Sequence, residues 1–596
     1  MKKFFVCAAL LCIAFAGASA QNFTPVEQLP EADFPFTPDP AWAKVSGTNF
    51  GWGSLDVRYD KYRVPELNKN RVPREVAWRG ERVSFQAVVF TSSEIHDARI
   101  YVSDLKSGKN TISAGNIQFG FERYVKGDCL GDGGDKGYFS EAMGGKDNFA
   151  KRDSVLVPDA IIGGKMQQIE ARTVRPAWFT IQVPQDARPG KYYGTVKFLC
   201  NELADKPLEL KYSVEVRDRV LLRPSLWRFH LDLWQNPFAV ARYFGVRPWS
   251  DEHLELMRPM MTKMAQAGGK VVTATLMWDC WGDQTLDLFE AMVQASRNID
   301  GTMEYNYDIF DRWVEFMASC GISEQIDCFT IAPWRMRFRY YDRATDSHQT
   351  IPFEYGDDVY RAIWIPLLKD FAGHLRAKGW FDKTRLAVDE RDLAVMQTVI
   401  AIAREADPEY KFALAGNYHP EIEGDLEDYS LDLFGDGTYL KDTDGPAISD
   451  RRRGEGKFTT FYICCGEGHP NTFTFSPLAE SASLGWYALC NNYDGMLRWA
   501  YNSWNAEPMV DTRWYNLSSG DNFMIYPQGW SSVRWERFVE GIQDFEKVLI
   551  LREEYAKQPR KLQKLEEAIS QFTHDRLWGG NVEPLVQNAQ SILDSF

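Results

Sequence analysis

Apolar and polar residues alternate with two different rhythms along the chain. Between residues 22 and 220 the apolar positions recur with period two in short runs. These runs are RVSFQAVVF (82–90), ARIYVSDL (98–105), AWFTIQV (177–183), YYGTVKFL (192–199) and LELKYSVEV (208–216). Pro and Gly punctuate them, as in DARPGKYYG, and no long helical period interrupts them. Short alternating strands separated by turns predict a β-sandwich. After about residue 221 strands and helices take turns. The predicted strands are LWRFHLDLW (226–234), VVTATLMW (271–278), EQIDCFTIAPW (324–334), TRLAVDE (384–390), KFALAGNY (411–418), YSLDLFG (429–435), KFTTFYICC (457–465) and GMLRWAYNSW (495–504). Helical spacing runs through 251–268, 307–321, 359–379 and 393–406 between them. Eight strands alternating with helices over some 300 residues predict a (β/α)8, TIM-like barrel. A doubly wound sheet is the alternative, but no Gly-rich phosphate loop follows the first strand.

The expected architecture is therefore multidomain: an N-terminal β-sandwich (21–220), a (β/α)8 barrel (221–530) and C-terminal helices packing on the barrel (531–596). A length of 596 residues fits several cores rather than one. The segment RFRYYDRATDSHQTIPFEYGD (337–357) interrupts the alternation and is expected as a hairpin or lid.

Residues 1–20 change the picture of location. Lys2 and Lys3, the apolar run Phe4–Ala16 and the small residues Ala18-Ser19-Ala20 have the form of a signal peptide. Export, to a periplasm or the outside, is expected, and no later stretch is long and apolar enough to span a bilayer. Cleavage after Ala20 would leave eight scattered Cys with no CxxC pair, most of them expected as small buried residues. A formal net charge of −15 argues against nucleic acid as a partner. The run Arg451-Arg452-Arg453 is expected as a solvated loop, and GDCLGDGGDKG (127–137) lacks the spacing of a calcium loop. No metal or cofactor is expected, and oligomeric state is not legible.

If the barrel forms, its active site lies where the strands end. The fourth strand ends LAVDERD (386–392), with Asp389 and Glu390 adjacent. Within a strand neighbours face opposite ways, but at the lip the pleat stops and both acids can face the mouth. His230, Asp232 and Trp234 share one face of the first strand. Other strand ends offer Trp278, Trp334, Asn417, Tyr418, Trp499, Tyr501 and Trp504 as candidate substrate-binding residues, with Glu467 and His469 after the seventh strand. Aromatic residues make up 14% of the chain, with 20 Trp, and most must serve packing. Aromatic walls, amides and carboxylates without a Ser-His-Asp set describe a sugar site. Two adjacent acids cannot easily flank one glycosidic bond as a separated pair does. They suit a route in which the 2-acetamido oxygen of the sugar attacks its own anomeric carbon. Asp389 would then hold the acetamido N–H, and Glu390 would protonate the leaving oxygen and later activate water. An ionised Asp389 is expected to help Glu390 keep its proton.

Four stretches resemble glycoside hydrolase family 123 and related bacterial proteins. They are VAWRGERVSFQAVVF (76–90) with ARPGKYYGTVKF (187–198), LAVDERD, and SSVRWERFVEGIQDFEKVLILRE (531–553). The resemblance implies an exo-acting β-N-acetylgalactosaminidase with a retaining, substrate-assisted mechanism. It implies Asp389 as acetamido stabiliser and Glu390 as acid and base. The expected partner is a glycan with a terminal 2-acetamido sugar. A glycosidase for another such sugar, N-acetylglucosamine for example, and a non-catalytic glycan-binding protein are the alternatives. Arg391 and Asp392 are left between support of the pair and the start of a loop.

Overall fold

The computed structural model describes residues 29–596 except 33, 38, 69, 129–153, 205, 434–443, 465–468 and 515–516. The signal segment, most of the 127–137 loop, Cys129, Cys465 and Glu467 lie outside the described residues.

Two sheets face each other in the N-terminal part. One contains Thr48–Trp52, Arg82–Thr91, Thr173–Gln182, Ile117–Gly127 and Val155–Ile161. The other contains Arg74–Arg79, Leu208–Val220, Gly190–Leu199, Ile95–Val102 and Lys165–Ile169. Period two explains the packing: along Gly190–Leu199, Tyr192, Val196 and Phe198 are buried while Tyr193 is exposed. Trp52 lies between the sheets with its ring centroid 5.8 Å from Phe85, 6.1 Å from Phe179 and 5.9 Å from Tyr212. Ile117–Gly127 escapes the alternation pattern because it buries charge. Glu122 accepts a hydrogen bond from Gln86, and burial pushes its pKa up to about 8. Arg123 donates to the carbonyls of Met509, Leu29 and Pro30.

The eight predicted barrel strands are all present, as one parallel sheet. In chain order they are His230–Leu233, Val271–Thr275, Gln325–Phe329, Thr384–Asp389, Phe412–Gly416, Leu426–Asp432, Phe458–Tyr462 and Gly495–Arg498. The first pairs with the eighth, and successive strands from the eighth to the second complete the sheet. A single parallel bridge, Leu231 to Gly269, brings the two edges together. The first strand is shorter than its sequence pattern, because Pro224–Leu226 forms a 3-10 turn before it. Register places Arg385, Ala387 and Asp389 on the same sheet face as Asp327, Asp428, Tyr462 and His230. That face is the interior, since His230 and Gln325 reach Asp428 from across the barrel at 2.8 and 2.7 Å.

The interrupting segment is a hairpin, Arg337–Asp342 with Ser347–Pro352. It joins Gln294–Arg297 and Met303–Asn306 in a four-stranded sheet beside the barrel. The last two strands were not legible, being four residues each and largely polar.

The arginine run is not a solvated loop. It lies on helix Gly445–Gly454, and Arg452 is fully buried. Its guanidinium donates to Thr459 Oγ1 and to the carbonyls of Glu423, Leu426 and Phe458 at 2.8–3.1 Å. It thereby ties the entry of the sixth barrel strand to that of the seventh. Arg452→Ala would leave those acceptors buried without a donor and is expected to cost about 3 kcal/mol. A urea-unfolding midpoint matching that of the parent would show the helix to be dispensable.

Helix Val533–Tyr555 fastens the sandwich to the barrel. Ser531–Ser532, just before it, pairs antiparallel with Val155–Ile161. Arg534, with no exposure, chelates Asp159 of that strand at 3.0 and 3.2 Å. Arg537 pairs with Asp56 at 2.7 Å and Lys547 with Glu81 at 2.8 Å. On the barrel side, Trp535 packs on Tyr501 at 5.4 Å between centroids.

Candidate active site

Asp389 is the last residue of the fourth strand and points inward. The next residue, Glu390, has φ 47° while its N–H still reaches Ala415 O at 2.8 Å. A left-handed conformation in a non-glycine residue costs about 1 kcal/mol or more. Here it stops the pleat that would send Glu390 outward. The carboxylate instead meets Tyr462, the last inward residue of the seventh strand, whose hydroxyl donates to Glu390 Oε1 at 2.8 Å. Both acids therefore face the mouth, as the strand-end argument requires.

Their environments differ. Asp389 is 8% exposed, whereas Glu390 is exposed. Burial, reinforced by the Glu390 carboxylate, pushes the Asp389 pKa up to about 7. The indole N–H of Trp334, 2.8 Å from Asp389 Oδ2, and the Arg391 cation pull it the other way. In the unliganded protein, then, the raised titration of Asp389 follows from its having lost most of its water. Among the described residues no hydrogen bond reaches Asp389 Oδ1 or Glu390 Oε2. Each acid thus keeps one oxygen for a ligand. Burial and the Glu390 charge also hold the Tyr462 pKa well above its ordinary value, so it remains a donor.

The two undecided residues have separate tasks. Arg391 lies over the Trp334 ring at 4.1 Å and donates to Glu390 O at 3.1 Å. Asp392 caps helix Leu393–Ala406 by accepting from Val395 N at 2.9 Å. The four residues DERD thus end a strand, reverse the chain, cover an indole and start a helix.

The other predicted residues divide into three groups. Trp334, 42% exposed, touches the acid pair. Asn417 is exposed and follows Gly416, which lies against Glu390 Cα. Trp499 is half-buried, with its N–H on Asp521 Oδ1 at 3.3 Å. His230 and Asp232 are inside the barrel rather than at its mouth. His230 opens its strand, about 13 Å below Trp234 at the usual rise, and stacks on Phe458 at 4.0 Å. Asp232 is buried one inward position above it, and burial with the charges of Asp327 and Asp428 raises its pKa strongly. Tyr418, Tyr501, Trp504 and Trp278 are not brought to the acids. Tyr418 turns outward, its hydroxyl on Glu423 at 2.7 Å. Tyr501 and Trp504 are fully buried and bonded to the carbonyls of Met260 and Ile525. Trp278 lines a separate cavity. His469 is engaged by the buried Glu480 at 2.5 Å.

Sequence reasoning passed over Tyr462 and over Phe329, which joins Trp234 in an aromatic layer beneath the mouth. Trp234 contacts Trp281 at 5.3 Å and Phe329 at 4.6 Å. Tyr462 was accessible in principle, since Phe458, Thr460 and Tyr462 alternate along KFTTFYICC. Among the described residues no cluster of His, Cys, Asp or Glu is arranged to hold a metal ion, and no helix is long and apolar enough to cross a membrane.

Comparison with known proteins agrees with this geometry. Residues 234–551 match the model of the glycoside hydrolase 123 catalytic domain, and residues 52–199 that of the glycoside hydrolase 123 N-terminal domain. A solved family 123 glycoside hydrolase from Clostridium perfringens is 25% identical with a TM-score of 0.81, over 92% of this chain and 99% of its own. A Bacteroides ovatus GH5 xyloglucanase is 10% identical over 79% of this chain and 98% of its own, at a TM-score of 0.27, too low to carry an argument. No curated protein sequence matches the chain closely enough to count as a relative. With both domain models matched in order, and the catalytic one covering the second to eighth barrel strands with Asp389 and Tyr462 among them, the chain belongs to glycoside hydrolase family 123.

Proposed function

We propose that this glycosidase is an exported, exo-acting β-N-acetylgalactosaminidase that works by substrate assistance with retention of configuration. The observation that carries the reading is the pair of adjacent acids with different surroundings. Asp389, held on one oxygen by Trp334, offers the other to an acetamido N–H. Ionised, it stabilises the positive oxazolinium-type intermediate that forms when the acetamido oxygen closes on the anomeric carbon. Glu390, exposed and steadied by Tyr462, gives its proton to the leaving oxygen and then takes one from water. The preference for N-acetylgalactosamine follows the family resemblance. The Clostridium relative was studied for glycolipid glycan hydrolysis, which supports glycolipid glycans as the natural substrate class.

A panel of 4-nitrophenyl glycosides tests this. β-N-acetylgalactosaminide is expected to be hydrolysed fastest, β-N-acetylglucosaminide more slowly, and plain β-galactoside almost not at all. Comparable rates on the acetamido and plain galactosides would remove substrate assistance. Faster hydrolysis of the N-acetylglucosaminide would transfer the assignment to that sugar.

The Asp389 titration gives a further expected result. Activity needs the carboxylate, so kcat/KM should fall as pH drops through the region near 7 where Asp389 takes up its proton. Trp334→Phe removes an N–H that favours the carboxylate, so Asp389 should titrate higher. The acid limb of the profile should move up by roughly one pH unit. An unmoved acid limb in this variant would assign it to another group.

A further inference from the structure

A cavity of about 650 Å³ lies between the inserted four-stranded sheet and the barrel, within the roughly 300–1,000 Å³ range of small-ligand sites. Its walls include Trp249, Trp278, Tyr340 and Tyr341, with the amides of Gln294 and Asn306 among them. Two arginines and two glutamates also line it, but as pairs: Arg339 with Glu290 at 3.5 Å and Arg343 with Glu304 at 2.9 Å. The lining charge is thus balanced. Such a cavity has no surplus cation for a phosphate or carboxylate and too many polar groups for a hydrocarbon. Flat rings interleaved with amides and fixed ion pairs suit the alternating C–H faces and hydroxyls of a neutral saccharide.

Its position connects it to the acid pair. The backbone N–H of Trp334, whose indole holds Asp389, donates to Cys280 O at 3.2 Å. The segment carrying Cys280 has two sides. Trp281 packs on Trp234 over the barrel axis, while Trp278 lines the cavity. Arg337 and Arg339 of the inserted hairpin extend over the Trp278 ring at 4.6 and 5.0 Å, and Arg337 also pairs with the buried Asp279 at 2.6 Å. One stretch of chain therefore joins the aromatic layer beneath the mouth to a wall of the cavity.

We infer that the cavity is a subsite for the neutral oligosaccharide on the leaving-group side of the scissile bond. The inference rests on the glycosidase reading above. Holding the departing chain there would favour long glycans over simple glycosides through binding rather than through chemistry. The inserted sheet, which adds nothing to the barrel's closure, would then set the length of glycan preferred.

Ala291→Trp, which fills the cavity, and Tyr341→Ala, which removes a half-buried wall, test this. Each should lower kcat/KM about tenfold on a neutral tetrasaccharide ending in β-N-acetylgalactosamine, mainly through KM. Each should leave 4-nitrophenyl β-N-acetylgalactosaminide within about twofold of the parent. Equal losses on both substrates, or no loss on either, would overturn the subsite. If the parent cleaves neither substrate, the functional reading fails separately. Calorimetric binding of the same tetrasaccharide to Glu390→Gln, with and without Ala291→Trp, then decides the cavity alone. Weaker binding with the filling residue supports it, and unchanged affinity overturns it.

Discussion

Glu390→Gln is expected to lower kcat on a natural glycan by about 10³-fold or more, because one side chain serves as acid in the first half-reaction and base in the second. Glutamine preserves the hydrogen bond from Tyr462 and the volume, so folding should be unaffected. The loss should depend on the leaving group. An aryl glycoside with an acidic phenol needs little protonation, so its first step should survive far better than that of an alkyl or sugar glycoside. Deglycosylation, which needs the base, should then limit turnover. If the loss is the same for 2,4-dinitrophenyl and sugar leaving groups, Glu390 is not the acid. Tyr462→Phe offers a graded companion: Glu390 keeps its carboxyl but loses the bond that orients it.

Asp389→Asn is expected to be nearly as damaging to activity, by about 10²- to 10³-fold, and beneficial to the fold at alkaline pH. The carboxylate stabilises positive charge on the acetamido group, and the neutral amide cannot. Stability runs in the opposite direction. The folded-state pKa of Asp389 is raised from an ordinary value near 3.8 to about 7. Its contribution to stability is therefore fully present below pH 3.8 and is lost as pH rises through 7. Above that range the wild-type protein carries a buried ionisation worth on the order of a few kcal/mol, and Asn carries none. Thermal unfolding of the two proteins should converge near pH 4 and diverge at pH 8, with the variant melting higher. Coincident curves at pH 8 would show that water or rearrangement already relieves the charge. The pair is thus held where it reacts at a cost to the fold, a pattern frequent in catalytic sites.

The barrel was legible because its strands are short apolar runs between helices of clear period, and the lip position of LAVDERD followed from that order. Legibility failed where burial is paid for by polar partners. Arg452 reads as solvent-facing in sequence, yet four acceptors from the entries of two strands surround it. Ile117–Gly127 is not among the predicted strands, since Glu122 and Arg123 break its apolar pattern, yet it runs through the middle of a sheet. At the site, strand-end position alone selected residues too widely. Tyr501 and Trp504 follow the eighth strand, but the chain dives under the adjoining segment and their rings become core. Parity was the missing discriminator. Asn417 and Tyr418 are neighbours, and only the first continues the inward face. The inward place of Tyr462 could be read from the alternation of its strand, but its importance depends on the turn at Glu390.

The helix Val533–Tyr555 bears on how such a protein can change over evolutionary time. Its Arg534, Arg537 and Lys547 find their carboxylates in the sandwich, at Asp159, Asp56 and Glu81. A gene fragment encoding the barrel alone would take from Arg534 its carboxylate partner and leave Arg537 and Lys547 only Glu540 and Asp544 of their own helix. The two domains are thus not interchangeable parts to be recombined with other modules. They form a single heritable unit, in which substitutions at the seam must arrive in pairs, while the inserted sheet, outside that seam, is free to diversify.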